Sequence, residues 1–272
     1  MSVNQILDDL NKAFPDSDQK MPVMFAGHGS PMNAIEDNEY SRAWEKLGKA
    51  LSKPKAILCV SAHWESRGTL VTGMAQPKTI HDFGGFPREL YECQYPAPGS
   101  PPLAQLTQAT VKQTSVRLDE TWGLDHGTWS VLCRMFPQAD IPVVQLSLDR
   151  TQPPEFHYAL GQELRALRHK GVLIVGSGNI MHNLGMIVWE GGTYDWAVEF
   201  DETIKRLILS GDHDSITHYQ KLGQAARLSI PTNEHYLPLL YILSLQDTQD
   251  QVQFFNDKLD MGSLSMRSVL IQ

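Results

Sequence analysis

Three short apolar runs, each followed closely by a histidine, organise the hydrophobic pattern of this chain. The runs cover residues 23–27, 56–62 and 172–178, and the histidines that follow them are His28, His63 and His182. Apolar runs of this length, bounded by glycine or a turn, are typical of buried strands. Three strands that each bring a histidine to the carboxyl end predict one shared site.

Helical patterns alternate with these and further strand patterns. Helical spacing of apolar residues is found at 40–51, 102–112, 129–136, 155–169 and 194–209, and a short amphipathic helix is predicted at 5–14. Further strands are predicted at 69–73, 115–118, 143–148, 252–255 and 265–271. The alternation predicts an α/β fold with a central, mostly parallel or mixed sheet and helices on both faces. Ligands bind such sheets at the carboxyl ends of the strands, so we expect the site there.

Length and composition favour a single domain. The chain has 272 residues, 42% of them hydrophobic, and no linker or low-complexity run, so we predict one domain over 1–272 with a polar segment at 1–20. The net charge of −8 without a basic stripe disfavours nucleic-acid binding. We expect a cytoplasmic protein, because the three cysteines are scattered and the sequence shows no signal peptide. We expect no membrane partner, because no apolar run reaches membrane-spanning length.

Imidazole chemistry indicates a metal at the predicted site. Several neutral imidazoles that converge in one pocket suit zinc, copper, iron or nickel, whereas protonated histidines would repel one another. Glu234 and His235 are a further candidate pair, of which one is expected to reach the metal, because neighbouring residues diverge in direction. Either choice leaves coordination positions for a substrate. Four other histidines are predicted to be solvated: His157, His169, His213 and His218.

The stretch from 76 to 102 differs from the rest, because closely spaced prolines and glycines exclude long regular elements there. Its aromatic residues nevertheless indicate packing. An ordered loop of this length in a compact domain is typical of a binding loop or lid.

Several motifs together resemble the 4,5-DOPA extradiol dioxygenase family, which belongs to the class III extradiol ring-cleavage dioxygenases. The motifs run in order along nearly the whole chain: GHGSPMN at 27–33, SAHW at 61–64, IHDFGGFP at 80–87, YPAPG at 95–99, DHG at 125–127, GNIMHNL at 178–184, EHYLPL at 234–239 and MGSLSM at 261–266. The resemblance implies a single-domain α/β enzyme that opens the ring of a catechol such as DOPA by 4,5-cleavage with O2 at a mononuclear non-haem Fe(II) site.

The resemblance also implies roles for individual residues. His28 and His63 would be metal ligands, with the third ligand from the Glu234–His235 pair. The broader superfamily uses a glutamate there, but the resemblance is to the DOPA branch, which favours the histidine, so we choose His235 and expect Glu234 to be a supporting or substrate-facing group. His182 resembles the acid/base histidine and is expected close enough to the metal to count as a fourth ligand. His126 resembles the second pocket histidine, near the oxygen. Phe83 and Trp64 are expected to wall the ring of the substrate.

Two other functions are compatible with the same cluster. A zinc-dependent hydrolase would use the histidines to activate water, and zinc could also replace iron in the purified protein. A non-catalytic binding protein is disfavoured because His126 and His182 are both present. The pattern contains no readable oligomer interface.

Overall fold

The computed structural model describes residues 12–272. The helix predicted at 5–14 therefore lies largely outside the described residues, as does the first part of the polar segment. The described strands are β1 Val23–Gly27, β2 Ala56–Ser66, β3 Thr69–Thr72, β4 Val116–Asp119, β5 Val143–Asp149, β6 Val172–Gly178, β7 Val252–Phe255, β8 Leu259–Asp260, β9 Leu264–Ser265 and β10 Ser268–Ile271.

Eight of these strands form one mixed sheet, in the order β4-β3-β5-β2-β6-β1-β10-β7, and β8 pairs with β9 in a separate ribbon. The four central strands β5, β2, β6 and β1 are parallel to one another. Antiparallel pairs flank them, β3 against β5 on one side and β10 against β1 on the other. The predicted α/β fold with a mixed sheet is confirmed. The parallel arrangement brings the carboxyl ends of β1, β6 and β2 side by side.

The helices cover both faces of the sheet. Their bounds are α1 Glu39–Ala50, α2 Arg88–Glu92, α3 Pro101–Thr110, α4 His126–Met135, α5 Pro154–Glu163, α6 Asp195–Ser210, α7 His213–Thr217, α8 Gln224–Ser229 and α9 Leu237–Ser244. Single-turn or short 3-10 helices occur at Pro31–Ala34, Leu164–Lys170, Leu184–Met186 and Tyr219–Leu222. Among residues 12–272, none of the helices has the length and apolarity required to cross a bilayer.

The alternation of side chains along β1 shows how the two cores are divided. Val23 and Phe25 contribute to the core that contains α5, α6 and α9, whereas Met24 and Ala26 contribute to the core under α1 and α4. All five residues of β1 are buried, as expected for a strand covered on both faces. The sheet therefore lies between two helical layers, and so do the ends of its central strands.

Three local features differ from the sequence-based expectations. Strand β2 continues through His63 to Ser66, with a register shift between Val60 and Glu65, so His63 lies within an irregular part of the strand. Helix α4 begins at His126, three residues before its predicted start. The Pro-Thr-Asn sequence at 231–233 predicts a helix start, whereas helix α9 begins only at Leu237, so Glu234 and His235 lie in the turn before it.

The prediction that His157 is solvated was wrong. Its side chain is fully buried on α5, where Nδ1 lies 3.0 Å from the hydroxyl of Tyr241. The helical spacing around His157 placed it on the inner face, and a hydrogen bond to a buried phenol satisfies one ring nitrogen there. His169 is exposed, while His213 and His218 are partly buried, beside Tyr158 and Glu155 respectively.

Candidate metal centre

Five histidines converge on one cavity of about 610 Å³ at the carboxyl ends of the central strands. The lining histidines are His28, His63, His126, His182 and His235. Candidate ligand atoms lie within 4.8 Å of one another in two groups, His28, His63 and His126 in one, and His182, Glu234 and His235 in the other. The ring of His235 joins the groups, with its centroid 5.3 Å from that of His28 and 5.0 Å from that of His63.

His28 is held with one nitrogen directed at the cavity. Ser177 Oγ donates its only hydrogen to the carbonyl oxygen of Gly127, 2.5 Å away, and therefore accepts from His28 Nδ1 at 2.9 Å. This arrangement fixes the tautomer that carries its hydrogen on Nδ1, so the lone pair of Nε2 is available. Nε2 of His28 lies 3.1 Å from Nε2 of His63. Two imidazole nitrogens that each bind one ion at ~2.1 Å lie roughly 3.0–3.4 Å apart.

Asp82 faces both His63 and His126. Its Oδ2 lies 2.9 Å from His126 Nδ1 and 3.6 Å from His63 Nδ1, and Oδ1 accepts from the backbone N–H of His126 at 2.9 Å. The side chain of Asp82 is 19% exposed, so water screens these interactions only partly. The carboxylate faces Nδ1 of both rings, which leaves their Nε2 atoms on the side of the cavity.

The side chains of Glu234 and His235 contact each other although the two residues are neighbours in the chain. In the turn before α9, Oε1 of Glu234 lies 3.1 Å from Nδ1 of His235 and also accepts from the hydroxyl of Thr232. A carboxylate on Nδ1 leaves Nε2 of His235 as a lone-pair donor. The ring of His182 stacks on that of His235 with centroids 3.5 Å apart and planes 6° from parallel.

Burial keeps these imidazoles neutral. Removal from water, followed by repulsion from neighbouring histidines, holds the pKa of His28 and His235 well below the usual value. Burial, with repulsion from His126 second, lowers the pKa of His63 to about 3. Burial lowers the pKa of His182 to about 4, although Glu234 opposes the shift. All four rings are therefore unprotonated at neutral pH, which is the form that binds metal ions.

The donor set fits one divalent transition-metal ion. His28 and His235 each have Nδ1 beside an oxygen acceptor, a carboxylate faces Nδ1 of His63, and their rings cluster in one cavity. Supporting acceptors of this kind are typical of histidines that ligate a metal. Three nitrogen ligands leave coordination positions for exogenous molecules.

A buried polar network beneath the cavity positions His126. Asp125 caps α4 by accepting from the backbone N–H of Thr128, and it also accepts from Ser61 and Gln145. Burial, with repulsion from Asp82 second, raises the pKa of Asp125. A methyl group on Gly127 would lie 2.6 Å from Ser61 Oγ and 2.8 Å from a carbon of His63, so only glycine permits this approach of α4 to β2.

Of the two aromatic residues expected to wall the substrate, Phe83 and Trp64, only the first lines the cavity. Phe83 and Phe86 line the cavity, and the ring of Phe83 lies edge-on to His126 at 5.5 Å between centroids. Trp64 is 3% exposed, stacks on Trp122 and is not among the lining residues. The structure thus brings Phe83 to the site but not Trp64.

Two supporting residues were missed in the sequence. Asp82 lies within the IHDFGGFP motif, and its position among aromatic residues is the sequence feature that could have indicated a role in the site. Ser177 lies between two glycines at the end of β6 and carried no signal of its own, because its partnership with His28 depends on the neighbouring strand.

Comparison with known proteins agrees with this geometry. Residues 22–266 match the family described as the catalytic LigB subunit of aromatic ring-opening dioxygenase. A 4,5-DOPA dioxygenase extradiol of Escherichia coli is 50% identical over 94% of this chain and 96% of its own length, and one of Beta vulgaris is 37% identical over 90% and 94%. A crystal structure of an uncharacterized Escherichia coli K12 protein has a TM-score of 0.82 at 44% identity, covering 93% of this chain and 100% of that chain.

The chain belongs to the LigB family of aromatic ring-opening dioxygenases, and the predicted kinship with the 4,5-DOPA extradiol dioxygenases is confirmed. It is an enzyme, an extradiol ring-cleavage dioxygenase of the oxidoreductase class.

Proposed function

We propose that this enzyme opens the ring of a catechol such as DOPA by 4,5-extradiol cleavage, with O2 and one Fe(II) ion. The observation that carries the proposal is the convergence of five histidines on one cavity that Phe83 and Phe86 also line. The names of the relatives, 4,5-DOPA dioxygenase extradiol, support the choice of substrate.

In this proposal His28, His63 and His235 hold the metal ion, and Glu234 orients His235. The orientation of His28 by Ser177 and the carboxylate on His235 support this choice. When bound, Fe(II) would supply coordination sites for the diol and the redox chemistry that couples it to O2. His182 stacks on His235 and is close enough to be a fourth donor before substrate enters.

His182 is proposed to take a proton from the catechol. It lines the cavity, it is partly buried, and its lowered pKa, about 4, keeps the ring neutral and able to accept. A general base must be unprotonated at the working pH and within reach of the hydroxyl. His182 meets the first condition directly, and its stacking on a proposed ligand places it beside the bound diol.

His126 is proposed to stabilise negative charge that develops on oxygen. With Nδ1 beside the carboxylate of Asp82, its opposite nitrogen faces the cavity, where it would meet the developing charge. Phe83, edge-on to His126, would form one wall for the flat ring of the substrate.

Anaerobic reconstitution with Fe(II), followed by addition of O2 and a catechol, tests the proposal. We expect oxygen consumption and a yellow ring-opened product, and neither for the variant His28→Ala. Zinc-loaded enzyme should bind catechol without turnover. The proposal is wrong if no catechol is opened under Fe(II) while the zinc form hydrolyses esters or amides, which is the outcome expected for a hydrolase with the same histidines.

A further inference from the structure

The cavity has a buried inner part and an exposed outer part. His28 and His235 in the inner part are 1% and 6% exposed, whereas Leu184 and Trp189 at the rim are 59% and 79% exposed. A catechol whose diol reaches the histidines must therefore direct its ring substituent outwards, towards the rim. The side chains of the outer part meet that substituent.

The charged side chains of the outer part are acidic. Glu36 and Asp260 line the cavity, and among residues 12–272 no lysine or arginine does so. Asp260 Oδ1 accepts from the backbone N–H of Met261, and neither carboxylate forms an ion pair within the described part of the chain. The outer part thus carries negative charge that the described residues leave uncompensated.

Neighbouring cations are engaged elsewhere. The guanidinium of Arg134 contacts Glu36 only through the backbone carbonyl, and it also donates to the carbonyl of Asn33 and to the carboxylate of Glu45. Lys258, two residues before Asp260, lies 2.5 Å from the carboxylate of Glu39. A carboxylate on the substrate would therefore find no partner of opposite charge among the described residues that line this part of the cavity.

Two aromatic side chains line the same cavity as these carboxylates. Trp189 presents a largely exposed indole at the rim, and Tyr40 lines the same part of the cavity. Burial first, and then the charges of Asp260 and Glu39, raise the pKa of Tyr40 to about 12, so its phenol stays neutral. An aromatic face next to a carboxylate favours an organic cation, because both the ring quadrupole and the charge attract it.

We propose that the outer part of this cavity selects catechols whose substituent carries a protonated amine, and that Asp260, Glu36 and Trp189 recognise that charge. The inference rests on the proposed ring cleavage and adds the class of substituent. An alkylamine is protonated at neutral pH, as a lysine side chain is. Of the two charges on the side chain of DOPA, the ammonium is the one recognised, and the carboxylate contributes nothing favourable.

Four catechols with matched substituents test the proposal in the Fe(II) enzyme. They are DOPA, dopamine, which lacks the carboxylate, 3-(3,4-dihydroxyphenyl)propanoate, which lacks the amine, and 4-ethylcatechol, which lacks both. We expect kcat/KM for dopamine to exceed that for 4-ethylcatechol by about fivefold, the size of an exposed charge interaction, and the propanoate to fall below 4-ethylcatechol. Anaerobic dissociation constants should follow the same order without turnover.

Three variants assign the effect to residues. Asp260→Asn and Trp189→Leu should each reduce the dopamine to 4-ethylcatechol ratio by about twofold to fivefold, and Glu36→Gln by less because it is exposed. Glu199→Gln, an exposed change on α6 away from the cavity, should leave the ratio unchanged. Equal kcat/KM for dopamine and 4-ethylcatechol, or a preference for the propanoate, overturns the inference. Failure to open any of the four catechols overturns the proposed function instead.

Discussion

The carboxylate of Asp82 lies 2.9 Å from Nδ1 of His126 and accepts from the backbone N–H of the same residue. One side chain thus fixes both the start of α4 and the direction of its first imidazole. Asp82→Asn keeps the shape of the side chain but removes the negative charge beside His126. We expect kcat for ring cleavage to fall by about 10- to 100-fold, the usual cost of losing such a partner.

A shifted pH profile would distinguish a positioning role for Asp82 from simple misfolding. The rate against pH should change shape in Asp82→Asn, while the far-UV spectrum stays native. Asp140→Asn, at a surface carboxylate paired with Lys53, is the matched control and should leave kcat unchanged. Wild-type kcat in Asp82→Asn would remove Asp82 from the proposed mechanism.

Ser177 sets the tautomer of His28, so its hydroxyl should affect metal binding. Ser177→Ala removes the acceptor from Nδ1, and we expect the affinity for a divalent ion to fall by about tenfold. Competition against a chelating dye measures the change. Ser210→Ala, at an exposed serine that ends α6, is the control. Unchanged affinity in Ser177→Ala would contradict the orientation argued for His28.

His182 can be separated from the proposed metal ligands. His182→Ala should lower kcat by about 10²- to 10⁴-fold, the range for loss of a general base, while the bound metal content falls far less than in His28→Ala. His169→Ala is the control, because His169 is exposed; His157, although distant, is buried and unsuitable. Similar rates for His182→Ala and His169→Ala would refute the role of His182.

Buried His157 should make the protein acid-labile. Burial lowers its pKa to about 4, so between pH 6.5 and 4 the unfolded chain binds a proton that the folded chain excludes. The free energy of unfolding therefore falls as the pH falls through this window, by up to about 3 kcal/mol from this residue. Urea unfolding at pH 7 and pH 4.5 should show a smaller pH-dependent loss in His157→Gln than in wild type. His169→Gln should show the wild-type loss.

Metal removal should destabilise the folded state. An ion that binds only the folded protein stabilises it by about 2.7 kcal/mol at a hundredfold excess over Kd. We therefore expect a chelator to lower the Tm of the loaded enzyme, and to leave the Tm of His28→Ala unchanged. Equal chelator responses in both proteins would show that the ion does not use His28.

The sequence sufficed for features that depend on local pattern. The apolar runs before His28 and His182 are β1 and β6, and the expected position of both histidines just beyond the carboxyl ends of strands agrees with the sheet. Contacts between residues that lie far apart in the sequence could not be predicted. Nothing in the sequence shows that β2 extends through His63, because the extension depends on pairing with β5 after a register shift. The sequence suggests that Trp64 contacts the ring of the substrate, but in the structure it stacks on Trp122.

His157 illustrates a second limit. A histidine in an amphipathic helix is polar by type, yet its position on α5 faces the core, where Tyr241 on α9 supplies a hydrogen bond. A polar residue type suggests an exposed side chain, whereas the helical period places this side chain on the buried face of α5. The packing of α5 against α9 determines which of the two holds. The pairing of Glu234 with His235 is similar, because the turn before α9 allows a contact that a regular helix would prevent.

The place of β1 in the sheet bears on how the enzyme is made. Its neighbours β6 and β10 come much later in the sequence than β1 itself. During synthesis the N-terminal strand must wait for both partners, since contacts between distant segments form late. The histidines therefore cannot gather before β6 and the turn ahead of α9 have been synthesised, because His182 and His235 come with these segments. A metal ion bound by these histidines would then enter the folded protein through the mouth of the cavity rather than guide its folding.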